Sequence, residues 1–231
     1  PSIIMIVYGV AANVSISQLF IAGVIPGILL AAIFSAWIAL WALTHPGQIP
    51  PADARLSFGQ KLHESRHLIP VVLLIAAVLG SIYGGIATAT EAAALGVVGS
   101  LILSAAQGSM SWATFRDSLL GGTRLYCMIA LILAGAAFLT LSMGYIGLPR
   151  HLAEWIGSLG LTKWQLILAL TVFYVVLGCF LDGISMVVLT MGVIMPTIQK
   201  AGIDPLWFGI FIVLVVEMAQ ITPPVGFNLF V

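Results

Sequence analysis

The residues with a capacity for chemistry are few, and they gather where apolar runs are interrupted. Leu181-Asp182-Gly183-Ile184-Ser185 breaks one run and Ile221-Thr222-Pro223-Pro224-Val225-Gly226 breaks another. Gly183 and Gly226 permit dihedrals closed to other residues. Pro223 and Pro224 remove backbone donors and leave carbonyls without helical partners. Ser185 and Thr222 add hydroxyl oxygens, and Asp182 adds a carboxylate. Such a set of oxygens suits a small hard cation such as sodium, while exposed half-helix N-termini attract anions. Each interruption also reads as a plain turn between two helices, and spacing alone leaves both readings open.

The remaining polar residues divide in the same way. Asp182 reads either as the N-cap of a helix over 183–198 or as a ligand within the membrane. Glu91 reads as a cap near Thr88 or Thr90, as half of a buried ion pair, or as a proton relay. Glu217 lies about one turn before the Pro-Pro break and helps shape that region. Asp204-Pro205 reads as a capped helix start. His45, His63, His67 and His151 lie in or beside loops, as solvated side chains do. Gly135-Ala136-Ala137, and Gly96 with Ser100, are explained by close helix packing. Cys127 and Cys179 sit in apolar runs with no His or Cys at metal spacing, so neither a disulfide framework nor a zinc site is expected.

The elements that must position these residues follow from composition. Of 231 residues, 61% are apolar and 7% charged, with 8 basic residues against 8 acidic ones. A soluble domain carries about 25% charged residues, so these charges cannot coat a water-soluble globule. Their balance also lacks the basic stripe of a nucleic-acid binder. No Ser-His-Asp, metal or paired-acid constellation converges in the apolar runs, so no enzyme is expected. An all-α, polytopic transmembrane protein in a lipid bilayer remains.

A membrane span needs about 20 apolar residues. Gln18 to Thr44 is long enough, with a kink expected at Pro26-Gly27. Residues 45–66 form the one clearly hydrophilic segment. Apolar runs follow at 67–83 and 91–106, then a polar turn with an interfacial amphipathic helix over 107–122, anchored by Trp112 and Phe115. Residues 125–148 span, and 149–163 repeat the interfacial pattern with Arg150, Glu154, Trp155, Lys163 and Trp164. The arms 164–181 and 184–198 are short enough to fit a re-entrant hairpin as well as two spans. The run 205–220 ends in the Pro-Pro break, and non-helical backbone at that depth survives only inside protein or beside a watery cavity. With 67–83 and 91–106 paired, one side carries Arg55, Lys61, Arg66, Arg116 and Arg124, and the other Arg150, Lys163 and Lys200. The excess places the first group in the cytoplasm. The chain opens on Pro1-Ser2 and closes on Phe230-Val231, both inside apolar runs, so it is expected to be the C-terminal portion of a longer protein.

Several segments occur in a telling order. They are Tyr83-Gly84-Gly85-Ile86-Ala87-Thr88-Ala89-Thr90-Glu91-Ala92-Ala93-Ala94-Leu95-Gly96, then Leu181-Asp182-Gly183, then Gly202-Ile203-Asp204-Pro205-Leu206-Trp207-Phe208-Gly209. Ile221-Thr222-Pro223-Pro224-Val225-Gly226-Phe227-Asn228-Leu229-Phe230-Val231 closes the series. Together they resemble the large membrane subunit (DctM-like, or M subunit) of tripartite ATP-independent periplasmic (TRAP) transporters. The likeness covers essentially the whole chain and corresponds to roughly the second half of that subunit. Pro1 to Gly9 resembles the segment after the family's first Pro-Pro break, a counterpart expected of an inverted repeat.

The resemblance implies more than composition does. The family belongs to an elevator-type, ion-coupled superfamily in which each inverted repeat holds a re-entrant hairpin and a broken helix. Its members are multi-pass proteins of the bacterial inner membrane and use a sodium gradient rather than ATP. They import C4-dicarboxylates and other organic acids, delivered by a periplasmic substrate-binding protein, alongside a small membrane subunit. Mapped onto residues 1–231 as the C-terminal part of the permease domain, 164–198 is the hairpin and 205–231 contains the broken helix. Asp182, Gly183, Ser185, Thr222, Pro223, Pro224 and Gly226 then surround one sodium site and one wall of the substrate site. Gly183, Ser185, Thr222 and Gly226 are the expected sodium ligands, sodium being the coupling ion and no further cofactor being implied. The alternative is a channel-like or non-transporting scaffold subunit. A channel calls for rings of like charge or carbonyls, which the sequence does not display. The discriminating feature is whether the tip of 164–198 meets 221–226.

Overall fold

Short polar residues ahead of apolar runs set most of the helix starts. The computed structural model describes residues 2–48, 59, 60, 65 and 68–221, and the regular elements among them are all helical. In chain order these are α1 (Ile3–Ala12), α2 (Ile16–Ala22), α3 (Val24–Thr44), α4 (Ile69–Tyr83), α5 (Ala89–Ala106), α6 (Trp112–Ile146), α7 (Leu148–Ser158), α8 (Lys163–Gly178), α9 (Gly183–Lys200) and α10 (Pro205–Ala219). A single 3-10 turn, Pro46–Gln48, follows α3. Ser2 and Ser15 cap α1 and α2 through their hydroxyls. Thr88 with Glu91, and Thr162 with Gln165, form reciprocal capping boxes at α5 and α8. Each such cap satisfies backbone donors that a helix start otherwise leaves unpaired, worth about 1 kcal/mol.

Contacts group the chain into one unit of residues 1–23 with 118–231, and another of residues 24–117. Within the second, α4 packs against α5, and Leu74 lies so close to Gly99 that a methyl group there would overlap it. Helix α3 buries none of its residues. Within the first unit, α1, α9 and α10 form the core, with Tyr8, Met186, Ile198, Phe208 and Ile212 at its centre. Helix α7 covers α9, α8 packs along α10, and α2 joins α1 and α10. Tyr8 donates its hydroxyl to the Pro205 carbonyl at 2.6 Å, tying α1 to the start of α10.

Among the described residues, the run Ile16–Thr44 and helices α5, α6 and α9 are long and apolar enough to cross a membrane. Ile28, Trp37, Val97, Leu131 and Phe138 stand exposed on such surfaces. Water would penalise so much contiguous apolar area, whereas hydrocarbon does not. The chain is a polytopic helical membrane protein.

Two expectations require correction. The break within 18–44 falls at Gly23, which ends α2, and not at Pro26-Gly27. Pro26 occupies the first turn of α3, where its missing N–H has no helical acceptor to lose. The interfacial helix expected after the polar turn within 107–122 and the span expected over 125–148 are one continuous helix, α6, of 35 residues from Trp112. Arg116 and Arg124 therefore sit on a helix rather than in a loop. Gly121 and Gly122 do not interrupt it, because a glycine costs a helix only about 1 kcal/mol.

Candidate functional site

The break at 179–182 becomes a tight turn between α8 and α9. The two helices are also linked by a hydrogen bond between the Tyr174 and Thr190 hydroxyls. The turn ends in a cap. Asp182 Oδ2 accepts from the backbone N–H of Ile184 and of Ser185, each at 3.1 Å. Of the two sequence readings for Asp182, this geometry displays the cap. Glu91 likewise caps, its Oε2 accepting from Thr88 N at 2.8 Å. Asp204 Oδ1 accepts from Trp207 N at 2.8 Å.

Gly183 is buried where three helices converge. A methyl group there would overlap Gln220 Nε2 and press on Ile4 Cδ1 and Val216 Cγ1. Gly178, at the end of α8, meets α10 in the same way, since a methyl group on it would overlap the Ala219 side chain. The tip of the α8–α9 pair therefore rests against the last turn of α10, at Ala219 and Gln220. Thr222, Pro223, Pro224 and Gly226 lie outside the described residues.

Several backbone groups at this tip have no described partner. The carbonyls of Phe180 and Leu181 accept, and the Gly183 N–H donates, no hydrogen bond among the described residues. The half-buried Ser185 hydroxyl is in the same position, although its own N–H serves the Asp182 cap. Carbonyl and hydroxyl oxygens are the donor set of a hard alkali cation, and N–H groups at a helix start suit an anion. Among the described residues, no three His, Cys, Asp or Glu side chains gather as metal ligands. The tip thus offers neutral oxygens and one carboxylate that is already engaged.

One residue was missed in the sequence. Gln220 is 8% exposed, and its amide lies over Gly183. It stands at the end of an apolar run beside the break, which marks it as polar and placed at depth. Its partner lies far away along the chain, and no local pattern reveals that. Glu217, on the same helix, is exposed.

The family model described as the tripartite ATP-independent periplasmic transporter DctM component matches residues 1–231. The chain is 33% identical over 232 residues to the C4-dicarboxylate TRAP transporter large permease protein DctM of Pseudomonas aeruginosa, an alignment covering 100% of this chain and 54% of that protein. It is 34% identical over 236 residues to the ectoine/5-hydroxyectoine TRAP transporter large permease protein UehC of Ruegeria pomeroyi, covering 100% and 53% respectively. It is 31% identical over 235 residues to the isethionate TRAP transporter permease protein DctMQ of Oleidesulfovibrio alaskensis, covering 100% and 36%. The chain spans about half the length, or less, of these curated relatives. With a match along its whole length, the chain belongs to the DctM family of TRAP transporter permease components.

Proposed function

We propose that the chain forms the C-terminal half of the binding machinery in a sodium-coupled importer of organic acids, C4-dicarboxylates or other carboxylates. Family membership supports the permease role, and the similarity to the C4-dicarboxylate permease of Pseudomonas aeruginosa supports the substrate class. A periplasmic binding protein delivers the acid, a small membrane subunit completes the complex, and the assembly sits in the bacterial inner membrane.

The observation that carries this reading is the approach of Gly183 to Gln220. It brings a helix start and the Phe180 and Leu181 carbonyls, which have no partner among the described residues, against the residues that immediately precede Thr222-Pro223-Pro224. In this reading the α8–α9 pair is the re-entrant hairpin, and α10 is the first arm of the broken helix. Sodium engages carbonyl and hydroxyl oxygens from the tip and from Thr222 and Gly226. The substrate carboxylate is held by N–H groups at the helix starts. Sodium shifts the equilibrium toward the substrate-ready state only by its differential affinity for that state.

The test is uptake of radiolabelled C4-dicarboxylate by proteoliposomes containing the complete transporter and its binding protein. Import should require an inward sodium gradient and should cease when potassium replaces sodium. Equal uptake in both salts would remove sodium coupling from the account.

A further inference from the structure

A second site lies at the opposite end of α9 from its Asp182 cap. Lys163 Nζ donates to the Gly202 carbonyl at 2.8 Å, which ties the start of α8 to the turn between α9 and α10. Lys200 Nζ reaches over α7 at Gly157, where a methyl group would sit 3.6 Å away from it. Helix α7, the starts of α8 and α10, and the last turn of α9 therefore share one end of this unit. Trp155, Trp164 and Trp207 all stand there, 59%, 78% and 47% exposed. Exposed indoles grouped at helix ends mark the headgroup layer of a membrane, because the ring prefers an apolar body with a wet edge. Helix α7 buries Ala153 and keeps Arg150, Glu154 and Trp155 out, as a helix lying in that layer does.

Between α7 and the last turn of α9 is a cavity of about 420 Å³. Pro149, Ala153 and Pro196 give it an apolar floor, and Arg150, Glu154 and Lys200 supply its polar groups. Charge there does not cancel. Arg150 Nε pairs with Glu154 Oε1 at 2.9 Å. Lys200 has no carboxylate in ion-pair range among the described residues. The charged groups of the cavity, Arg150, Glu154 and Lys200, sum to one net positive charge above an apolar floor.

We propose that this cavity holds the phosphodiester headgroup of an anionic phospholipid, with Lys200 as its principal contact and the glycerol and upper acyl carbons over the apolar floor. Each part of the site has a role toward such a ligand. The cation meets the phosphate, the floor meets carbon, and the indoles fix the depth. A zwitterionic lipid carries its own cation and gains less from Lys200. A soluble phosphate has no use for the floor or the indoles. This inference does not depend on sodium coupling.

The experiment is native mass spectrometry of the complete transporter, released from micelles doped with phosphatidylglycerol or phosphatidylethanolamine. Phosphatidylglycerol should be retained preferentially. Lys200→Gln should lower its retention about fivefold, the effect of one basic contact to an anionic lipid surface. Lys200→Arg should restore retention, and Arg116→Gln, whose partner is Asp117, should not change it. Equal retention of the two lipids, unchanged retention in Lys200→Gln, or displacement by inorganic phosphate would each overturn the proposal.

Discussion

Gly183 and Gln220 meet without a side chain between them, so that a methyl group on Gly183 would overlap the Gln220 amide. This contact closes the start of α9 onto the end of α10. Overpacking a buried position costs about 1–3 kcal/mol, and replacing a helical glycine with alanine returns at most about 1 kcal/mol. Gly183→Ala should therefore lower stability by up to about 2 kcal/mol. The companion change Gln220→Ala should remove the overlap with the amide and leave the contacts with Ile4 and Val216. Thermal unfolding of both single variants and the double variant checks this, and the two effects should fail to add.

Asp182 offers a way to separate capping from ligation. Asn caps a helix about as well as Asp, whereas Ala loses about 1 kcal/mol. Asp182→Asn should retain stability and Asp182→Ala should lose it, because the carboxylate accepts two backbone N–H groups. If uptake follows stability across the pair, the carboxylate acts as a cap. Loss of uptake in Asp182→Asn at unchanged stability would assign the charge itself to binding.

The hydrogen bond between Tyr174 and Thr190 is the described polar link between α8 and α9. Thr190 also donates to the Met186 carbonyl at 2.7 Å, so it keeps a partner when the tyrosine hydroxyl is removed. Interhelical hydrogen bonds in membrane proteins average about 0.6 kcal/mol, and Tyr174→Phe should cost about that much. A double-mutant cycle with Thr190→Val measures the coupling.

At the interfacial helix α7, the hydrogen bond from Arg150 holds the Glu154 carboxyl below the usual carboxylate range, with the Arg150 charge adding to it. A depressed carboxylate contributes stability that is present above its unfolded value of about 4.3 and lost as pH falls through the folded value. Wild-type protein should therefore lose a small increment of stability on acidification below about pH 4.3. Arg150→Gln should lose most of that increment, the charges of Lys200 and His151 retaining the rest. The pair is exposed, so the effect should also shrink with added salt. Unfolding midpoints compared across that range, at low and high salt, provide the check.

Much of this architecture was legible in the sequence because its determinants are local. Thr88 with Glu91, Asp182 and Asp204 act within one helical turn, so spacing offered a cap at each, and the geometry displays it. The turn at 179–182 was legible because a polar residue and a glycine interrupt an apolar run. The continuity of α6 was not, since Gly121, Gly122 and Arg124 carry the local marks of a break that a 35-residue helix absorbs. The place where α2 ends was misassigned because Pro26 falls in a first turn, where it does no harm. Gln220 escaped notice for a different reason. Its importance comes from a neighbour, Gly183, that only the packing of α9 against α10 brings near. Gly183 was read for its dihedral freedom, whereas in the structure its missing side chain admits the Gln220 amide.

The most direct test of the binding account is the sodium activation of uptake in proteoliposomes with the complete transporter. The half-saturating sodium concentration should be compared between wild type, Ser185→Ala and Thr222→Val. If the tip of the α8–α9 pair and the segment beginning at Thr222 supply sodium oxygens, the half-saturating concentration should rise about tenfold or more on loss of one ligand worth about 1.4 kcal/mol. Transport at saturating sodium should be less affected in Ser185→Ala, where packing is preserved. An unchanged sodium activation curve in both of these variants would contradict the account.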